Sequence, residues 1–591
     1  MELYYQYIRD IDGLRKACSE LNAEPFLGID TETTELDPRD GELRLIQFST
    51  GKTTYVIDMR PFASSGGLRA NPELAPLRGL ISDEKQVKIA HNAKFDSKWV
   101  RFHLGCEIGN VFDSYLASQL ISAGDGDRRH SLADTAQFFT GIELDKSQQV
   151  SDWSLNELSQ HQVEYAARDA AVLIALREQM AERLRNDGLD EAARLEFECV
   201  MPVAEMELNG FFLDAARWRE HLDTVRAAQA EASEELQTEL SAGVAQTSLF
   251  GRSEINLDSH QQVTQALLNL GIPVPETTRA WQLQPLAAEY PVIQKLLDYR
   301  AAQKSLTSFG ENILEYIDAR TGRIHADFRQ IGSATGRFSC SNPNLQQMPA
   351  ETAYRRCFRA PEGRKLIIAD YSQIELRILA DFSEDQKFIA AFLSGEDFHS
   401  ATAAQVFNVS PNTVTPDQRA FAKRLNFGMV YGVGAPRIAT MSGISVTEAE
   451  NMMRRYFGTY RGLDAWLRET AENAVSVHSA RTRSGRLMRF RFDEKNQGEV
   501  GAIKRIGKNM PIQGTSADIL KRALRLLHTE IFDTSSQIVN IVHDEIVVEC
   551  DAQESQTAAD IVEKTMTEAA ANYVKKLPVK VDVRIADEWS K

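Results

Sequence analysis

The stretch Leu366-Ile367-Ile368-Ala369-Asp370-Tyr371-Ser372-Gln373-Ile374-Glu375-Leu376-Arg377 joins an apolar run to an amphipathic one. The apolar run predicts a buried strand that ends in the acid Asp370, and the residues after it predict a turn into a helix. Downstream, residues 538–542 and 546–549 predict two more strands, with His543-Asp544-Glu545 between them as a tight hairpin turn. An acid at a strand end and another at a hairpin tip can face each other across one sheet. The sequence therefore predicts a sheet that brings Asp370 and Asp544 together.

Two acids arranged in this way suit the transfer of a phosphoryl group. Such chemistry uses two divalent ions, one to lower the pKa of a primer 3′-hydroxyl and one to hold a triphosphate. Taken alone, His543-Asp544-Glu545 is more often only a polar turn, so this interpretation needs support from the rest of the chain.

Between these segments the residues Arg419-x3-Lys423-x3-Phe427-x3-Tyr431-Gly432 recur in steps of four. Each step of four advances about 40° around a helix, so the four side chains share one slowly turning stripe. Two cations followed by two aromatic residues suit a nucleotide, whose phosphates need charge and whose base and sugar pack on flat rings. The alternative is an amphipathic helix with a mixed face, which leaves the order of the residues unexplained.

A second group of acids lies in the first third of the chain. Asp30 and Glu32 follow the apolar segment 26–29, and residues two apart in a strand share a face. Asp96 precedes an apolar helical pattern, and Tyr165 and Asp169 lie four apart within a predicted helix. Four carboxylates can hold two divalent ions about 3.5–4 Å apart, which clamp a phosphate and activate a water. Any one of these acids alone would be interpreted as a surface acid at the end of an element.

Composition and layout indicate several domains of mixed α/β class. The chain has 591 residues, of which 43% are hydrophobic and 26% charged, as is usual for soluble globular proteins. Residues 1 to about 190 read as α/β, with a long helix over 158–184; residues 195–330 read as mostly helical, and 336–591 mix strands and helices. No Pro/Gly-rich hinge separates them, so we expect the domains to pack directly.

We find no apolar run of about 18 residues and no signal segment after Met1. Six cysteines without CxxC spacing predict free thiols.

Charge gives a mixed indication about nucleic acid. The net charge is −17, yet between Ser479 and Arg525 twelve Lys and Arg residues stand against four acids. DNA responds to the local field, so this stretch predicts a basic binding face. A solvated basic surface without a ligand is the alternative.

The motifs of the C-terminal part resemble those of a known family. Asp370–Arg377 resembles motif A of family A DNA polymerases, Arg419–Gly432 resembles motif B, and His543–Glu545 resembles motif C. Further similar segments are Thr335–Ser339, Pro343–Pro349, Asp397–His399 and Gln513–Asp518. The resemblance covers nearly the whole chain and implies a template-directed, bacterial polymerase I-like DNA polymerase.

The same resemblance implies a role for each matching residue. Asp370 and Asp544 are metal ligands, with Glu545 as an auxiliary acid. The residues expected at the nucleotide are the triphosphate contacts Arg419, Lys423 and His399, the gate Glu375 that crowds a ribose 2′-hydroxyl, Phe427 beside the sugar and base, and Tyr431 at the templating position. The residues expected at the DNA are Arg337, Gln346, Arg505, Gln513 and His543.

The N-terminal motifs, Asp30-x-Glu32, Asn92-x3-Asp96 and Tyr165-x3-Asp169, resemble those of the DEDD 3′→5′ exonucleases with tyrosine in the third motif. The resemblance implies an RNase H-like, proofreading domain in which Asp30, Glu32, Asp96 and Asp169 bind metal and Tyr165 orients the attacking water.

The two resemblances together imply a right-hand architecture without a 5′-nuclease. The expected divisions are a 3′→5′ exonuclease domain at 1–190, a helical thumb with connecting helices at 191–335, an antiparallel-sheet palm at 336–398 and 501–591, and helical fingers at 399–500. The implied cofactor is Mg²⁺, two ions per active site with Mn²⁺ as a substitute. The implied partners are primer-template DNA and deoxynucleoside triphosphates. We expect a monomer without membrane or obligate protein partner, in the cytoplasm of a bacterial or phage-infected cell, or in an organelle if a transit peptide has been removed.

Two other functions fit parts of the pattern. A nuclease whose C-terminal part only binds DNA is disfavoured because Asp370, Lys423 and Asp544 are all present. A single-subunit RNA polymerase shares the palm, but Glu375 and the proofreading motifs count against it.

Overall fold

A computed structural model of the chain describes residues 3–145, 151–241, 255–274, 277–349, 352–395, 397–430 and 432–590. The mixed α/β class is confirmed, with an α/β domain first and a larger mixed domain after it. Among the described residues no helix combines the length and the hydropathy needed to cross a bilayer. The six cysteines are unpaired, and all but Cys106 are buried.

The N-terminal domain is a six-stranded mixed sheet with helices packed on it. Its strands are β1 (Tyr5–Ile8), β2 (Phe26–Thr33), β3 (Leu43–Ser49), β4 (Thr54–Asp58), β5 (Val87–Ala90) and β6 (Val111–Asp113). Its helices are α1 (Ile11–Leu21), α2 (Ala75–Ser82), α3 (Ala93–Leu104), α4 (Ser114–Ser122), α5 (Leu132–Thr140) and α6 (Gln160–Asn186). The strand order is β1-β4-β3-β2-β5-β6, with β3 antiparallel to both of its neighbours. The strands and the long helix predicted from the sequence are all present, and β2 extends beyond the predicted segment to include both acids.

A mostly helical region follows. Its helices are α7 (Asp190–Glu198), α8 (Val200–Asn209), α9 (Ala215–Ser241), α10 (His260–Asn269), α11 (Ala280–Leu283) and α12 (Pro291–Ser308). Helices α9 to α12 bury their own cluster of apolar side chains, separate from the other cores. The prediction of a mostly helical region is confirmed, with short strands added to it, namely β7 (Phe211–Phe212), β8 (Ile317–Asp318), β9 (Arg323–Ile324) and β10 (Asp327–Arg329). Strand β11 (Ser339–Ser341) follows this region and pairs with β10.

The C-terminal domain is built on a four-stranded antiparallel sheet of order β15-β16-β12-β17. Its strands are β12 (Arg364–Tyr371), β15 (Gln537–Val542), β16 (Glu545–Asp551) and β17 (Val581–Ala586). A hairpin of β13 (Ser479–Arg481) and β14 (Leu487–Arg489) stands apart from this sheet. The helices are α13 (Thr352–Arg355), α14 (Ile374–Ser383), α15 (Gln386–Leu393), α16 (Phe398–Phe407), α17 (Pro416–Val430), α18 (Ala435–Ser442), α19 (Val446–Thr459), α20 (Arg461–Ser476), α21 (Gln497–Ile531) and α22 (Ser555–Ala571).

Contacts between the two parts are direct, as the missing hinge predicts. Lys94 of α3 donates to Glu207 of α8 and to Asp327 of β10, both at 2.6 Å. On another side of the interface, Glu205 of α8 accepts from Arg101 at 2.7 Å and lies 2.8 Å from His528 Nε2. The expected divisions after residues 190 and 398 fall directly after the first residue of α7 and of α16, and the division after residue 500 falls in the first turn of α21. The domain limits stay predictions.

The basic stretch between Ser479 and Arg525 is more structural than its charge predicts. Six of its twelve cations are paired with carboxylates, namely Arg483, Arg486, Arg489, Arg491, Lys504 and Lys521. Arg486 and Lys521 are buried together with Glu196 and Asp518. A buried charge is tolerated only with opposite charges and hydrogen bonds around it, and the two acids supply both. The predicted basic binding face therefore does not include the buried Arg486 and Lys521.

Candidate active sites

The N-terminal site forms where β2 packs against α6. A side chain at Gly28 would place its Cβ 2.3 Å from the carbonyl oxygen of Ala170, so only glycine permits this approach. Gly28 lies two residues before Asp30, and Ala170 follows Asp169. The close packing therefore brings the acids of the strand next to the acid of the helix.

Asp96 joins them from the first turn of α3, inside the helix rather than before it as the sequence suggested. Thr31 of β2 donates to Asp96 at 2.6 Å, which ties the helix to the strand. The turn before α3 has Asn92 in the left-handed conformation and is held by Asp113, which accepts from the backbone N–H groups of Asn92 and Ala93. Sequence reasoning missed Asp113; its place just before α4, where it caps that helix, is the signal that could have found it.

The four carboxylates lie close together and repel one another; Asp96 and Asp169 are buried, and Asp30 and Glu32 are half-buried. Burial is the main cause that raises the pKa of Asp96 and of Asp169 to about 7. Burial followed by the charges of the neighbouring acids raises the pKa of Asp30 and Glu32 well above the usual range. Tyr165 hydrogen-bonds to Asp169, and its own pKa is raised by burial and by that carboxylate. The predicted set of five residues is thus one cluster.

This cluster fits divalent cations by the chemistry of its donors. Buried carboxylate oxygens that destabilise each other's charge are the hard ligands that Mg²⁺ and similar ions prefer. Beside Asp30 lies a cavity of about 650 Å³, which His91, Phe95, Lys98 and Arg329 help to line. Aromatic rings and cations next to the acids suit a nucleic-acid end, whose base stacks and whose phosphates need charge.

The second site lies at the end of the antiparallel sheet. Asp370 is paired in register with Glu545, and the backbone N–H of Tyr371 donates to the carbonyl of Asp544 at 3.3 Å. Strand β16 begins at Glu545, so the turn consists of His543 and Asp544, with His543 in the left-handed conformation. The predicted meeting of Asp370 with the hairpin tip is present.

These acids border a cavity of about 460 Å³. Its lining contains eight of the residues predicted from the sequence, namely Arg337, Gln346, Asp370, Glu375, Lys423, Phe427, His543 and Asp544. Glu375 is nearly buried and forms an ion pair with Arg337. The residue expected to exclude a ribose 2′-hydroxyl is therefore held in place by a residue expected to contact DNA.

Helix α17 presents part of the predicted stripe to this cavity. Lys423 and Phe427 line it, while Arg419, one turn earlier, forms a two-bond pair with Asp397 at 2.8 and 2.9 Å. His399 packs near Phe427, with ring centroids 5.8 Å apart, and burial lowers its pKa to about 4. His399 is therefore neutral near pH 7 and can accept or donate a hydrogen bond. Tyr431 lies outside the described residues.

Helix α21 forms the other wall of the cavity. Ser516, Ala517 and Leu520 line it, and Gln513 lies one turn earlier with Arg505 about two turns beyond. A side chain at Gly514 would clash with Thr482 at 2.4 Å and with the carbonyl of Thr335 at 3.0 Å. This close approach sets Arg337, two residues after Thr335, beside the helix.

Comparisons with known proteins agree with this geometry. Residues 225–591 match the family model described as DNA polymerase family A, and residues 5–185 match the model described as 3′-5′ exonuclease. Proteins named DNA polymerase I are similar: that of Aquifex aeolicus is 30% identical over 99% of this chain and all of the relative. That of Pseudomonas aeruginosa is 30% identical over the whole chain and 66% of the relative. A solved structure described as the POL domain of Pol1 from M. smegmatis in complex with DNA primer-template and dNTP superposes with a TM-score of 0.84 and 27% identity, over 99% of each chain.

Proposed function

The chain belongs to DNA polymerase family A and carries a 3′-5′ exonuclease domain, and on that premise we propose how its residues divide the work. The palm cavity extends a DNA primer with deoxynucleoside triphosphates, and the N-terminal carboxylate cluster removes nucleotides from the 3′ end. The observation that carries the proposal is the register of β12 with β16, which sets Asp370 beside the hairpin tip of Asp544 in a cavity that also contains Lys423 and Phe427.

We propose that the divalent ions are Mg²⁺. In the palm, Asp370 and Asp544 would bind them. In the N-terminal domain, the metal ligands would be Asp30, Glu32, Asp96 and Asp169. When bound, such ions lower the pKa of an attacking hydroxyl or water and offset the charge of the phosphates.

The protein's own groups then fix the incoming nucleotide. Lys423 and Arg419 meet the triphosphate with charge, because phosphate oxygens bind cations most strongly through charge-assisted hydrogen bonds. Neutral His399 adds a hydrogen bond near them. Phe427 packs on the sugar, and Glu375, immobilised by Arg337, leaves no room for a ribose 2′-hydroxyl.

DNA is bound by residues that line the cavity and by residues of α21. We propose that Arg337, Gln346 and His543 contact the primer end and the templating strand, with Gln513 and Arg505 along the helix and Tyr431 at the templating base. Contacts of this kind to phosphates and sugars give affinity without sequence preference. We further propose that the enzyme acts as a monomer in the cytoplasm of a bacterial or phage-infected cell.

In the N-terminal site, Tyr165 is bonded to Asp169 and stands at the edge of the acid cluster, where it would orient the attacking water. The cavity beside Asp30 would take the single-stranded 3′ end, with Phe95 against a base and Arg329 at a phosphate.

The test is to disable each site separately. Asp30→Ala with Glu32→Ala should abolish 3′→5′ degradation and leave primer extension nearly intact, whereas Asp544→Ala should do the reverse. Both are measured on one labelled primer-template, with deoxy- and ribonucleotides supplied in parallel. Extension that survives Asp544→Ala would refute the palm assignment. Equal use of ribonucleotides would favour an RNA polymerase, and degradation without extension in the unaltered chain would favour a nuclease that only binds DNA.

A further inference from the structure

The acid Glu545 is held by two side chains that the sequence motifs do not include. It is 2% exposed and lies opposite Asp370 in the sheet. Its Oε1 atom accepts a hydrogen bond from the indole Nε1–H of Trp589 at 2.8 Å and from Nη1 of Arg355 at 3.3 Å. Both donors reach the same carboxylate oxygen, so they fix the position of that atom.

Arg355 and Trp589 form one packed unit. The guanidinium carbon of Arg355 lies 4.2 Å from the centroid of the Trp589 ring, within the range of a cation–π contact. The indole is fully buried, and its ring centroid lies 5.7 Å from those of both Phe211 and Phe358. Neither donor can turn away from Glu545 without disturbing this core.

The backbone fixes the unit from behind. The N–H of Trp589 donates to the carbonyl of Phe358 at 2.8 Å, and the N–H of Ala360 donates to the carbonyl of Asp587 at 2.9 Å. The segment Asp587–Trp589 therefore runs along Phe358–Ala360, three residues after Arg355 in the chain. Backbone hydrogen bonds therefore hold the segment that contains Trp589, and the Trp589 ring in turn packs on the guanidinium of Arg355.

A buried carboxylate beside Asp370 needs such support. Two acids paired across a sheet repel each other, and a buried carboxylate needs hydrogen-bond donors around it. We propose that Arg355 and Trp589 are positioning residues of the polymerase site, which hold the Glu545 carboxylate in a fixed place next to Asp370. This inference rests on the proposed function, in which Glu545 is the auxiliary acid of that site.

The chain contains a matched control for the indole bond. Trp218 is also fully buried, lies in the same apolar core near Tyr354 and Phe358, and donates its Nε1–H to the carbonyl of Gly310 at 3.1 Å. Trp218→Phe removes a buried indole N–H from that core without touching Glu545. The conservative Arg355→Lys keeps the charge but loses the flat stacking surface.

The experiment measures primer extension against Mg²⁺ concentration for Trp589→Phe, Arg355→Lys, Trp218→Phe, Glu545→Ala and the double variant Trp589→Phe with Glu545→Ala. Loss of a group that orients a metal-site acid typically costs about 10–100-fold in activity or metal affinity. We expect Trp589→Phe to lower kcat about tenfold, to raise the Mg²⁺ concentration for half-maximal rate and to leave the KM for nucleotide nearly unchanged. Exonuclease activity, measured on the same preparations, should stay within twofold and so reports that the protein is folded.

The double variant separates positioning from packing. Once Glu545 is alanine, Trp589→Phe should have little further effect on kcat. The inference is overturned if Trp589→Phe and Trp218→Phe have equal effects, if the Trp589→Phe loss persists in full without Glu545, or if Glu545→Ala extends primers normally. Any of these results alongside an inactive Asp544→Ala refutes the inference alone, whereas an active Asp544→Ala refutes the proposed function itself.

Discussion

Removing an acid from the N-terminal site should make the metal-free protein more stable. The substitution is Asp96→Asn, at a side chain that is 2% exposed and whose pKa is raised to about 7, chiefly by burial. Because the folded-state pKa lies above the unfolded value, the folded protein binds this proton more tightly than the unfolded chain. Stability therefore falls as pH rises from about 4 to about 7 and stays low above it.

The size of the effect follows from the two pKa values. The difference between 3.8 and about 7 corresponds to about 4 kcal/mol at about 1.36 kcal/mol per unit. Asparagine keeps an oxygen that accepts from Thr31, but its new N–H groups need partners, which costs about 1–3 kcal/mol. The net gain at pH 8 is about 2 kcal/mol, or about 4–8 °C in the melting temperature of a domain of this size.

Asp113 supplies the opposing control. It is equally buried and its pKa is also raised, to about 6, but it accepts hydrogen bonds from the backbone N–H groups of Asn92, Ala93, Tyr115 and Leu116. Asp113→Asn must turn an N–H group toward one of these donors. We expect it to lower the melting temperature, although the change in charge is the same as in Asp96→Asn.

Differential scanning calorimetry in a chelator, at about pH 5 and pH 8, measures both variants against the unaltered chain. Asp96→Asn should melt higher than the unaltered chain at pH 8 and show no advantage near pH 5, where Asp96 is already protonated. Added Mg²⁺ should stabilise the unaltered chain more than the variant, because only the intact set of acids binds it well. A variant that melts at or below the unaltered chain at pH 8 would refute the account of the site as a cluster of repelling charges.

Two further predictions concern the polymerase site. Affinity for primer-template should fall steeply between about 50 and 200 mM salt, because cations such as Arg337 and Arg505 release counterions from DNA. Titration by fluorescence anisotropy measures this affinity, and an affinity that does not change with salt would contradict the prediction. Phe427→Tyr should reduce rejection of dideoxynucleotides by about tenfold or more, because a hydroxyl near the sugar replaces a lost hydrogen bond to phosphate of about 1.5–3 kcal/mol. Competition between dideoxy- and deoxynucleotides on one primer measures it, and equal discrimination would contradict the placement of Phe427 at the sugar.

The acids of both sites were predictable because the order of residues along one strand or helix determines which side chains share a face. Asp30 and Glu32 share a strand face, and Tyr165 and Asp169 share a helix face, as their spacing predicts. The meeting of Asp370 with Asp544 needed only a hairpin and one antiparallel pairing. Motif resemblance then added the family and the expected roles.

The supporting residues were not predictable because their partners lie far away in the chain. Trp589 reaches Glu545 from 44 positions away, and Lys521 reaches Glu196 from 325. The sequence around Trp589 has no periodic pattern that would predict its contact with Glu545. Basic residues likewise look alike whether they face DNA or a buried carboxylate, and so Arg486 and Lys521 were assigned to the wrong environment.

The two sites manage concentrated negative charge in opposite ways. In the palm, Arg355 bonds to Glu545 and Arg337 to Glu375, and Lys423 lines the same cavity, so protein cations offset much of the charge before any ligand binds. In the N-terminal site, the causes that raise the pKa of Asp30 and Glu32 are burial and the neighbouring acids themselves. A divalent ion therefore supplies a larger share of the electrostatic stability there. Removal of metal should accordingly loosen the N-terminal domain more than the palm, and the loss of stability as pH rises toward 7 should arise in the domain that contains Asp96.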